Sequence, residues 1–302
     1  MAEPLLISII TPSLNRAGTI AAAVESVLAQ DYPYFEHIVV DGGSTDGTLE
    51  RLRAYPHLRL LVGHDMGMYD ALNKGLAAAN GDVIGFLNSD DLYVENVFGH
   101  IAQHFTNSNT WATVGRASIF TRESNEEARI TGSLSPESAS MIELATIGNP
   151  VFNGWFFRRS VFERIGNFNV AYRIVGDRDF MLRFVLANLP YEILGINVYE
   201  YLQHAESLTF ELTDQKYDQI VKEHVAMTGH YLDQERLPTL ARQFILRLRT
   251  RETIKMAVIA ARTSPRKALH LFLDGISYDS RWPIAFLQKA IQLLKKRLKA
   301  TP

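Results

Sequence analysis

Two adjacent carboxylates, Asp90 and Asp91, directly follow a short apolar run and are the first candidates for chemistry. Neighbouring carboxylates repel each other, and each raises the pKa of the other unless a cation lies between them. The chain contains no cysteine, so a metal ion here would be held by oxygen or nitrogen. A hard divalent ion shared with phosphate, Mg²⁺ or Mn²⁺, is the economical explanation. A single aspartate in such a place can instead form a turn or cap a helix.

Polar residues also follow two other apolar runs. Thr11 and Asn15 bound the segment after the first run, and Asp41 ends the second. In open α/β sheets ligands bind outside the carboxyl ends of the strands, so these residues and the aspartate pair are expected at one edge. The sequence has no Gly-x-x-x-x-Gly-Lys loop, and no Gly-x-Gly-x-x-Gly follows the first run, which removes the usual support for a kinase or a dinucleotide oxidoreductase.

The elements that would position these residues alternate between strand and helix. Continuous apolar runs predict strands buried on both faces, and apolar residues at helical spacing predict helices. The strands are expected at 5–10, 37–40, 58–62 and 83–87, and the helices near 20–28 and 68–79. This alternation predicts an α/β fold with a doubly wound, mostly parallel sheet. Ser44 or Thr45 is predicted to cap the helix after the second strand.

The composition is that of a folded protein, since 47% of the 302 residues are hydrophobic and 21% are charged. The amino terminus carries an acidic residue where a signal peptide has basic ones, and no apolar stretch reaches the roughly 18 residues of a membrane-spanning helix. We therefore expect a cytoplasmic protein. The net charge of −2 hides an asymmetry: the chain from Arg242 onward has 14 basic and 3 acidic residues, and the rest has 17 and 30.

Four segments of the first half resemble inverting family 2 glycosyltransferases with the GT-A fold. They are IITPSLN at 9–15, IVVDGGSTDG at 38–47, GMYDALNKG at 67–75 and GFLNSDD at 85–91. The likeness is closest to the bacterial members that build exopolysaccharide, O-antigen or glycolipid chains. It implies a GT-A nucleotide-diphospho-sugar transferase fold over about 1–210. It also implies transfer, with inversion, of a sugar from a UDP- or GDP-sugar to a hydroxyl of a glycan or lipid-linked acceptor.

The resemblance assigns a donor-binding set and a metal-binding set. The nucleotide sugar would be bound by Thr11, Pro12, Asn15, Asp41, Tyr69, Asp70, Asn73, Lys74 and Asp90. Mg²⁺ or Mn²⁺ would be held by Asp91 and Asp90, with His204 in the place of a third ligand. Asn88 stands where the family's Asp-x-Asp motif has its first aspartate. Asp70 and Lys74 are four residues apart, so a simple surface ion pair is the alternative for them.

The acceptor side is expected in the second half of the chain. The segment GDRDFMLR at 176–183 resembles the family's Glu-Asp-x-x-Leu-x-x-Arg, which makes Asp177 the general base that removes a proton from the acceptor hydroxyl. Gly176 stands where the family commonly has glutamate. Asp179 is the alternative base, and a helix start that favours acidic residues would explain both aspartates without catalysis.

Aromatic and basic residues complete the predicted acceptor site. Trp155 and Phe156 are predicted to form, with Phe157, a platform for an acceptor sugar, and at least one of three such neighbours normally belongs to a core. Asp179 and Arg183 are placed on the same side. For Arg183, phosphate binding and structural pairing with an aspartate both remain open.

The region 211–302 is predicted to be a helical, basic extension. Its last segment, 284–298, alternates apolar and basic residues as an amphipathic helix does at a bilayer interface. We expect it to bind an anionic membrane surface, which would make the protein peripheral at the inner face of the cell membrane. The alternatives are that it covers the catalytic domain or a second subunit in a homo-oligomer. No nucleic acid partner is expected, because no nucleic-acid module is present.

Two other functions remain possible from the sequence. A nucleotidyltransferase of sugar phosphates also uses a doubly wound sheet and metal-binding carboxylates, but it has a glycine-rich basic loop after the first strand, where this chain has only Arg16. A catalytically inactive, membrane-associated scaffold is the other alternative, and Gly176 and Asn88 are the features that favour it.

Overall fold

The computed structural model describes residues 3–121, 129–203, 214–260, 264–278 and 284. The chain divides into two compact units, Met1–Glu211 and Leu212–Pro302. Within the described ranges, no helix combines the length and the apolar character needed to cross a membrane.

The first unit is built on one nine-stranded mixed sheet. Its strands are β1 Ile7–Ser13, β2 Phe35–Asp41, β3 Leu58–Val62, β4 Val83–Phe86, β5 Leu92–Tyr93, β6 Ala112–Thr121, β7 Arg129–Leu134, β8 Trp155–Arg158 and β9 Tyr191–Leu202. Their order is β3-β2-β1-β4-β8-β6-β9-β5, and β7 pairs with β6. The four strands β3, β2, β1 and β4 run parallel, as do β6 and β9, while the remaining pairs are antiparallel.

Helices follow most strands of the first unit and form most of the described part of the second. The helices are α1 Ile20–Leu28, α2 Thr48–Arg53, α3 Met68–Ala78, α4 Val97–Asn107, α5 Met141–Thr146, α6 Arg159–Ile165, α7 Gly176–Leu186, α8 Asp214–Leu232, α9 Thr239–Ala260 and α10 Pro265–Tyr278. Short 3-10 turns lie at Pro136–Ser138 and Phe152–Gly154. The helical character predicted after residue 210 is therefore confirmed where the structure describes that region.

The register of the parallel strands places their polar ends at one edge, as the sequence predicts. Asp41 lies opposite Ser13 on one side and Val62 on the other. On the far side of β1, the Leu87 amide donates to the Ile10 carbonyl at 3.1 Å, so β4 ends at nearly the same level. The segment 88–91 therefore leaves the sheet beside the segments that follow β1 and β2.

The predicted aromatic platform is wrong. Trp155, Phe156 and Phe157 form most of β8, which lies between β4 and β6, and all three side chains are fully buried. The Trp155 indole donates to the Pro150 carbonyl at 2.7 Å, and its ring stacks on Phe157. Because a central strand covered on both faces exposes no ring, these residues stabilise the core and have no surface on which to bind an acceptor sugar.

The cap predicted for the helix after β2 is also wrong. The residue that precedes α2 is Gly47, and no side chain caps this helix. The Ser44 hydroxyl instead donates to the Asp41 carboxylate at 2.7 Å. The turn therefore uses Ser44 to hold the end of β2.

Two predicted features lie outside the described residues. His204, the proposed third metal ligand, is one of them. The other is the amphipathic basic segment 284–298, of which only Ile284 is described.

Candidate active site

The turn after β2 is held by Asp41, which is fully buried. Its Oδ1 accepts hydrogen bonds from the amides of Gly43 at 3.0 Å and Ser44 at 2.7 Å, and its Oδ2 accepts the Ser44 hydroxyl. Gly43 has a φ of +96°, a conformation that glycine adopts without strain. The prediction that Asp41 contacts the nucleotide directly therefore needs correction. Its side chain presents no surface to a ligand, and its role in this structure is to shape the turn.

Thr11 is likewise fully buried at the end of β1. Its hydroxyl is 2.9 Å from Nε2 of His37 in the neighbouring strand. Burial, with a smaller effect of His57, lowers the pKa of His37 to about 3, so the imidazole is neutral at physiological pH. The predicted contact between the Thr11 side chain and the donor is therefore not available in this structure, and the hydroxyl joins β1 to β2.

Asn15 and Pro12 lie closer to the surface of the same edge. Asn15 is exposed and has a φ of 53°. Its amide donates to the Ser44 hydroxyl at 2.7 Å, and its side-chain oxygen accepts the Thr45 amide at 3.0 Å. Pro12 is half-buried one residue after Thr11. These contacts fix the loops after β1 and β2 to each other.

Asp65 adds a carboxylate to this edge that the sequence analysis missed. It is half-buried in the loop after β3, and its Oδ1 accepts the Gly67 amide at 2.9 Å. Its Oδ2 lies only 2.6 Å from the position that a Cβ on residue 42, now glycine, would occupy. Any side chain at 42 would displace the carboxylate. The sequence could have indicated Asp65, because it lies three residues after the strand predicted at 58–62.

Asp70 and Lys74 form the ion pair that was the simpler alternative for them. The Lys74 ammonium is 3.0 Å from the Asp70 carboxylate and also donates to the His64 carbonyl at 2.8 Å. The Met66 amide donates to Asp70 at 3.0 Å, and this bond, followed by Lys74, lowers the pKa of Asp70. Both residues therefore fix the loop before α3. The Lys74 side chain remains 42% exposed, so its charge is also open to an anion.

Asn73 has a structural role that leaves no room for the predicted contact with the donor. Its side-chain amide donates to the Phe168 carbonyl at 2.9 Å, and its side-chain oxygen accepts the Phe168 amide at 3.0 Å. Both polar atoms of the side chain are thus used by the backbone of the loop after α6. Asn73 joins α3 to that loop.

Asp91 is the most constrained carboxylate of the edge, with 3% of its surface exposed. Its Oδ1 accepts the Leu202 amide at 2.9 Å. Its Oδ2 accepts the Asn88 side-chain amide and the Tyr199 hydroxyl, both at 2.9 Å. Burial, followed by the charge of Asp90, raises the pKa of Asp91 to about 7. Asp90 itself is half-buried.

The aspartate pair suits a hard divalent cation. A carboxylate has about four acceptor positions, and Asp91 uses three of them, so one position there and the oxygens of Asp90 are candidates for a metal. A cation between the two would remove the repulsion that contributes to the raised pKa of Asp91. Among the described residues, no group of three or more Asp, Glu or His side chains is placed to hold a metal.

Asn88 explains the departure from the expected Asp-x-Asp pattern. Its side-chain amide donates to Asp91, a bond that an ionised aspartate could not make because it has no donor. Its backbone amide donates to the Tyr199 hydroxyl at 3.0 Å. A third carboxylate at position 88 would add repulsion to a pair that is already strained electrostatically.

Asp177 lies half-buried in the first turn of α7. Its Oδ1 accepts the Tyr69 hydroxyl at 3.1 Å and the Arg178 amide at 2.7 Å. Burial raises the pKa of Asp177, against smaller lowering effects from Arg178 and Tyr69. Burial, the charge of Asp91 and, more weakly, the charge of Asp177 raise the pKa of Tyr201. Tyr201 is therefore influenced by the charges of both aspartates, one after β4 and one at the start of α7.

Asp179 and Arg183 form a structural pair. Asp179 is buried, and its Oδ2 is 3.0 Å from both Nε and Nη2 of Arg183. The same guanidinium donates to the carbonyls of residues 165–167, which end α6, and lies over the Phe180 ring. The structural pairing that the sequence left open for Arg183 is therefore the arrangement observed, and the Asp179 carboxylate is engaged by that guanidinium.

The sequence analysis also missed two tyrosines of β9. Tyr199 is fully buried, donates to Asp91 and accepts the Asn153 side-chain amide at 3.1 Å. Tyr201 packs against it with the rings tilted by 55° and the ring centroids 4.8 Å apart. They follow Asp91 by more than a hundred residues, so only the alternation of Tyr199 and Tyr201 on one strand face was visible in the sequence.

The model of the family described as Glycosyl transferase family 2 matches residues 8–166. A PGL/p-HBAD biosynthesis glycosyltransferase of Mycobacterium bovis is 34% identical over 189 residues, which are 61% of this chain and 70% of that protein. A UDP-Glc:alpha-D-GlcNAc-diphosphoundecaprenol beta-1,3-glucosyltransferase of Escherichia coli is 38% identical over 97 residues, which are 31% of this chain and 38% of that protein.

Two solved structures resemble this fold over most of its length. TarS residues 1–349 of S. aureus, in complex with UDP-GlcNAc, gives a TM-score of 0.67 at 16% identity and covers 91% of this chain and 81% of that one. The mannosyltransferase PcManGT of Pyrobaculum calidifontis, in complex with GDP-Man and Mn²⁺, gives 0.57 at 18% identity, with coverage of 96% and 88%. Likeness at such identity establishes the fold alone, and the predicted α/β GT-A fold is confirmed.

Proposed function

This chain belongs to glycosyl transferase family 2, and we propose that it transfers a sugar from a UDP- or GDP-sugar, with inversion, to a hydroxyl of a glycan or lipid-linked acceptor. The observation that carries the proposal is the shared environment of two acids with raised pKa values. Asp91, after β4, and Asp177, at the start of α7, both raise the pKa of Tyr201, which supports a donor site and a base near each other.

The donor would lie along the carboxyl edge of β1 to β4. Asp90, Asp65 and Lys74 are the partly exposed charged groups there, and Asn15 is an exposed amide. A carboxylate accepts hydrogen bonds from ribose hydroxyls or a base imide, and an ammonium pairs with a diphosphate. Asp90 and Asp91 would hold Mg²⁺ or Mn²⁺, which when bound neutralises the diphosphate and stabilises the departing nucleoside diphosphate.

Asp177 would act as the general base. The acceptor oxygen attacks the anomeric carbon, the bond from that carbon to the diphosphate oxygen breaks, and the acceptor proton moves to the carboxylate. The Tyr69 hydroxyl and the Arg178 amide both hydrogen-bond to Oδ1 of Asp177, so Oδ2 would take the proton. A raised pKa favours proton uptake, and a single base opposite the leaving group is what inversion requires.

The similar proteins support either nucleotide. The Escherichia coli relative is named for UDP-Glc, TarS was solved with UDP-GlcNAc, and PcManGT was solved with GDP-Man and Mn²⁺. The Escherichia coli relative is also named for an acceptor linked to diphosphoundecaprenol, which favours a lipid-linked acceptor. The metal in one neighbour is consistent with a metal at the aspartate pair of this chain.

A calorimetric screen tests the proposal. UDP-glucose, UDP-N-acetylglucosamine and GDP-mannose would each be titrated into the protein with Mn²⁺ and with EDTA. We expect one of them to bind with Mn²⁺ and to lose at least tenfold in affinity with EDTA. If none binds under either condition, the proposed donor site is wrong.

The two alternative functions are less well supported. A nucleotidyltransferase would bind sugar 1-phosphates and release pyrophosphate, and the segment after β1 has Arg16 as its one basic residue. An inactive scaffold was favoured by Asn88 and Gly176, but each has a structural reason in the active arrangement. Asn88 donates to Asp91, and Gly176 leaves space for Tyr69.

We also propose that the second unit binds an anionic membrane surface. Leu269, Leu273 and Ile276 lie exposed along one face of α10, in a region with 14 basic and 3 acidic residues from position 242 onward. The protein should sediment with vesicles that contain 30% phosphatidylglycerol and should be released by 0.5 M salt. Equal recovery with pure phosphatidylcholine would contradict this, and self-association without vesicles would favour a homo-oligomer.

A further inference from the structure

We propose that Tyr69 is the positioning residue of the general base, and that glycine at position 176 exists to admit its ring. The inference rests on the proposed role of Asp177 as the base. Nothing in the sequence pattern assigned Tyr69 to the acceptor chemistry, since the resemblance placed it with the donor. The structure instead connects it to the start of α7.

The Tyr69 hydroxyl bridges two groups at that helix start. It is 3.1 Å from Oδ1 of Asp177 and 2.9 Å from the Ile174 carbonyl. Only 2% of the residue is exposed. Its ring centroid lies 5.6 Å from that of Phe168, whose backbone is held by Asn73 of the same helix α3. The hydroxyl is therefore held in place by packing.

The ring leaves no space for a side chain at position 176. A Cβ built on Gly176 would lie 2.7 Å from both Cδ2 and Cε2 of Tyr69 and 2.9 Å from Cγ. Real Cβ atoms do not approach other heavy atoms that closely, and an aromatic ring is rigid. Alanine or glutamate at 176 would therefore expel the ring or move the first turn of α7. This is a physical reason for glycine where the family resemblance expected glutamate.

The contact determines which oxygen of Asp177 is available. Tyr69 and the Arg178 amide both bind Oδ1, which leaves Oδ2 as the oxygen that the proposed mechanism uses to accept the proton. The Tyr69 hydroxyl has one hydrogen, which it shares between the Ile174 carbonyl and the Asp177 carboxylate. Its donation to the carboxylate favours the charged form and opposes the effect of burial on the pKa of Asp177. Without this bond the Arg178 amide alone would hold Oδ1, and the less constrained carboxyl group would align less well for proton transfer.

The test compares Tyr69→Phe and Gly176→Ala with a matched control, Tyr32→Phe. The Tyr32 hydroxyl also donates to a carbonyl, that of Leu5 at 2.6 Å, but it lies at the amino-terminal end of β1. The titration of Asp177 would be followed by NMR on protein labelled with ¹³C at the aspartate carboxyl carbons, with Asp177→Asn to assign the resonance. Turnover would be measured as nucleotide release from the donor that binds.

We expect the Asp177 midpoint to rise in Tyr69→Phe and Gly176→Ala and to stay unchanged in Tyr32→Phe. The kcat of both site variants should fall at least tenfold, while KM for the donor stays within twofold. In the double variant the two losses should not add, because both remove one contact. An unchanged Asp177 midpoint or an unchanged kcat in Tyr69→Phe overturns the inference. A wild-type protein that binds no donor defeats the proposed function, whereas the NMR titration still decides whether the contact exists.

Discussion

Two pairs of aspartates look alike in the sequence and differ in the structure. Asp90 and Asp91 follow β4, and Asp177 and Asp179 open α7. The described partners of Asp91 are neutral, namely two amides and a tyrosine hydroxyl, and its pKa is raised to about 7. Asp179 is buried as deeply but pairs with a guanidinium.

The difference shows that hydrogen-bonding and charged partners, and not burial alone, distinguish a carboxylate suited to catalysis or metal binding from one with a structural role. A buried acid with neutral donors is costly when ionised, so it is ready to take a proton or a metal ion. A buried acid with a cation is stabilised in its charged form and holds elements together. By this criterion Asp177 belongs with Asp91, because burial raises its pKa and its hydrogen bonds come from a tyrosine and an amide.

The largest expected effect separates the two aspartates of α7. Asp177→Asn should lower kcat by about a thousandfold or more, because the general base is lost, while donor affinity stays within threefold. Asp179→Asn should keep kcat within about threefold. Both variants would be assayed for nucleotide release and for donor binding by calorimetry. Full activity in Asp177→Asn would reverse the assignment in favour of Asp179.

A second prediction concerns the pair after β4. Asp91→Asn should weaken binding of the donor in Mn²⁺ by about a hundredfold, because it removes a negative oxygen ligand from the metal site. With EDTA, wild type and variant should bind the donor equally weakly. Ser89→Ala, a change at the buried neighbour, is the control. Equal Mn²⁺ dependence in Asp91→Asn and wild type would show that Asp91 does not serve a metal.

A third prediction tests the structural half of the comparison. Asp179→Ala should lower the free energy of unfolding by about 2 kcal/mol, since it leaves a partly buried Arg183 without its carboxylate. Urea denaturation would measure this, with nucleotide release to verify that folded protein stays active. The exposed pair Arg116–Glu137 is the matched control, and Glu137→Ala should lower the free energy of unfolding far less, because solvent screens an exposed pair. Similar losses in both variants would contradict a special role for the Asp179–Arg183 pair.

The smallest expected effect is a pH dependence of stability without metal. The folded pKa of Asp91 is about 7 and the ordinary value is 3.8, so between pH 4 and 7 the unfolded chain releases a proton that the folded one keeps. Stability from this group is complete at low pH and is lost as the pH rises toward 7. The Tm of Asp91→Asn minus that of wild type should therefore rise by a few degrees from pH 5 to pH 8 in EDTA. A constant difference would contradict the raised pKa.

The donor edge was predictable because parallel strands end together. The apolar runs located β1, β2, β3 and β4, and the order of the residues after them placed Asp90 and Asp91 beside the turns that follow β1 and β2. The sequence could not indicate how deeply each of these side chains is buried. Thr11 and Asp41 lie at the predicted edge but are fully buried, because hydrogen bonds to His37 and Ser44 draw their side chains inward.

The second half of the site depended on contacts between distant residues. β8 lies between β4 and β6, so its aromatic residues are buried, and no local pattern indicates a strand order. Arg183 is structural because the carbonyls at the end of α6 lie beside it. The Tyr199 hydroxyl donates to Asp91, which lies 108 residues earlier in the sequence. Each of these results needs the tertiary fold, whereas the presence of Asp177 at a helix start needed only the local sequence.

Crystals of the protein grown with Mn²⁺ and UDP or GDP test the central claim most directly, through the anomalous signal of manganese. The arrangement described here predicts one strong anomalous peak in contact with a carboxylate oxygen of Asp90 or Asp91, with the diphosphate bound to the same ion and Asp177 facing the open side. A nucleotide bound away from the carboxyl edge of β1 to β4, or no manganese peak at the aspartate pair while the nucleotide is present, would contradict it.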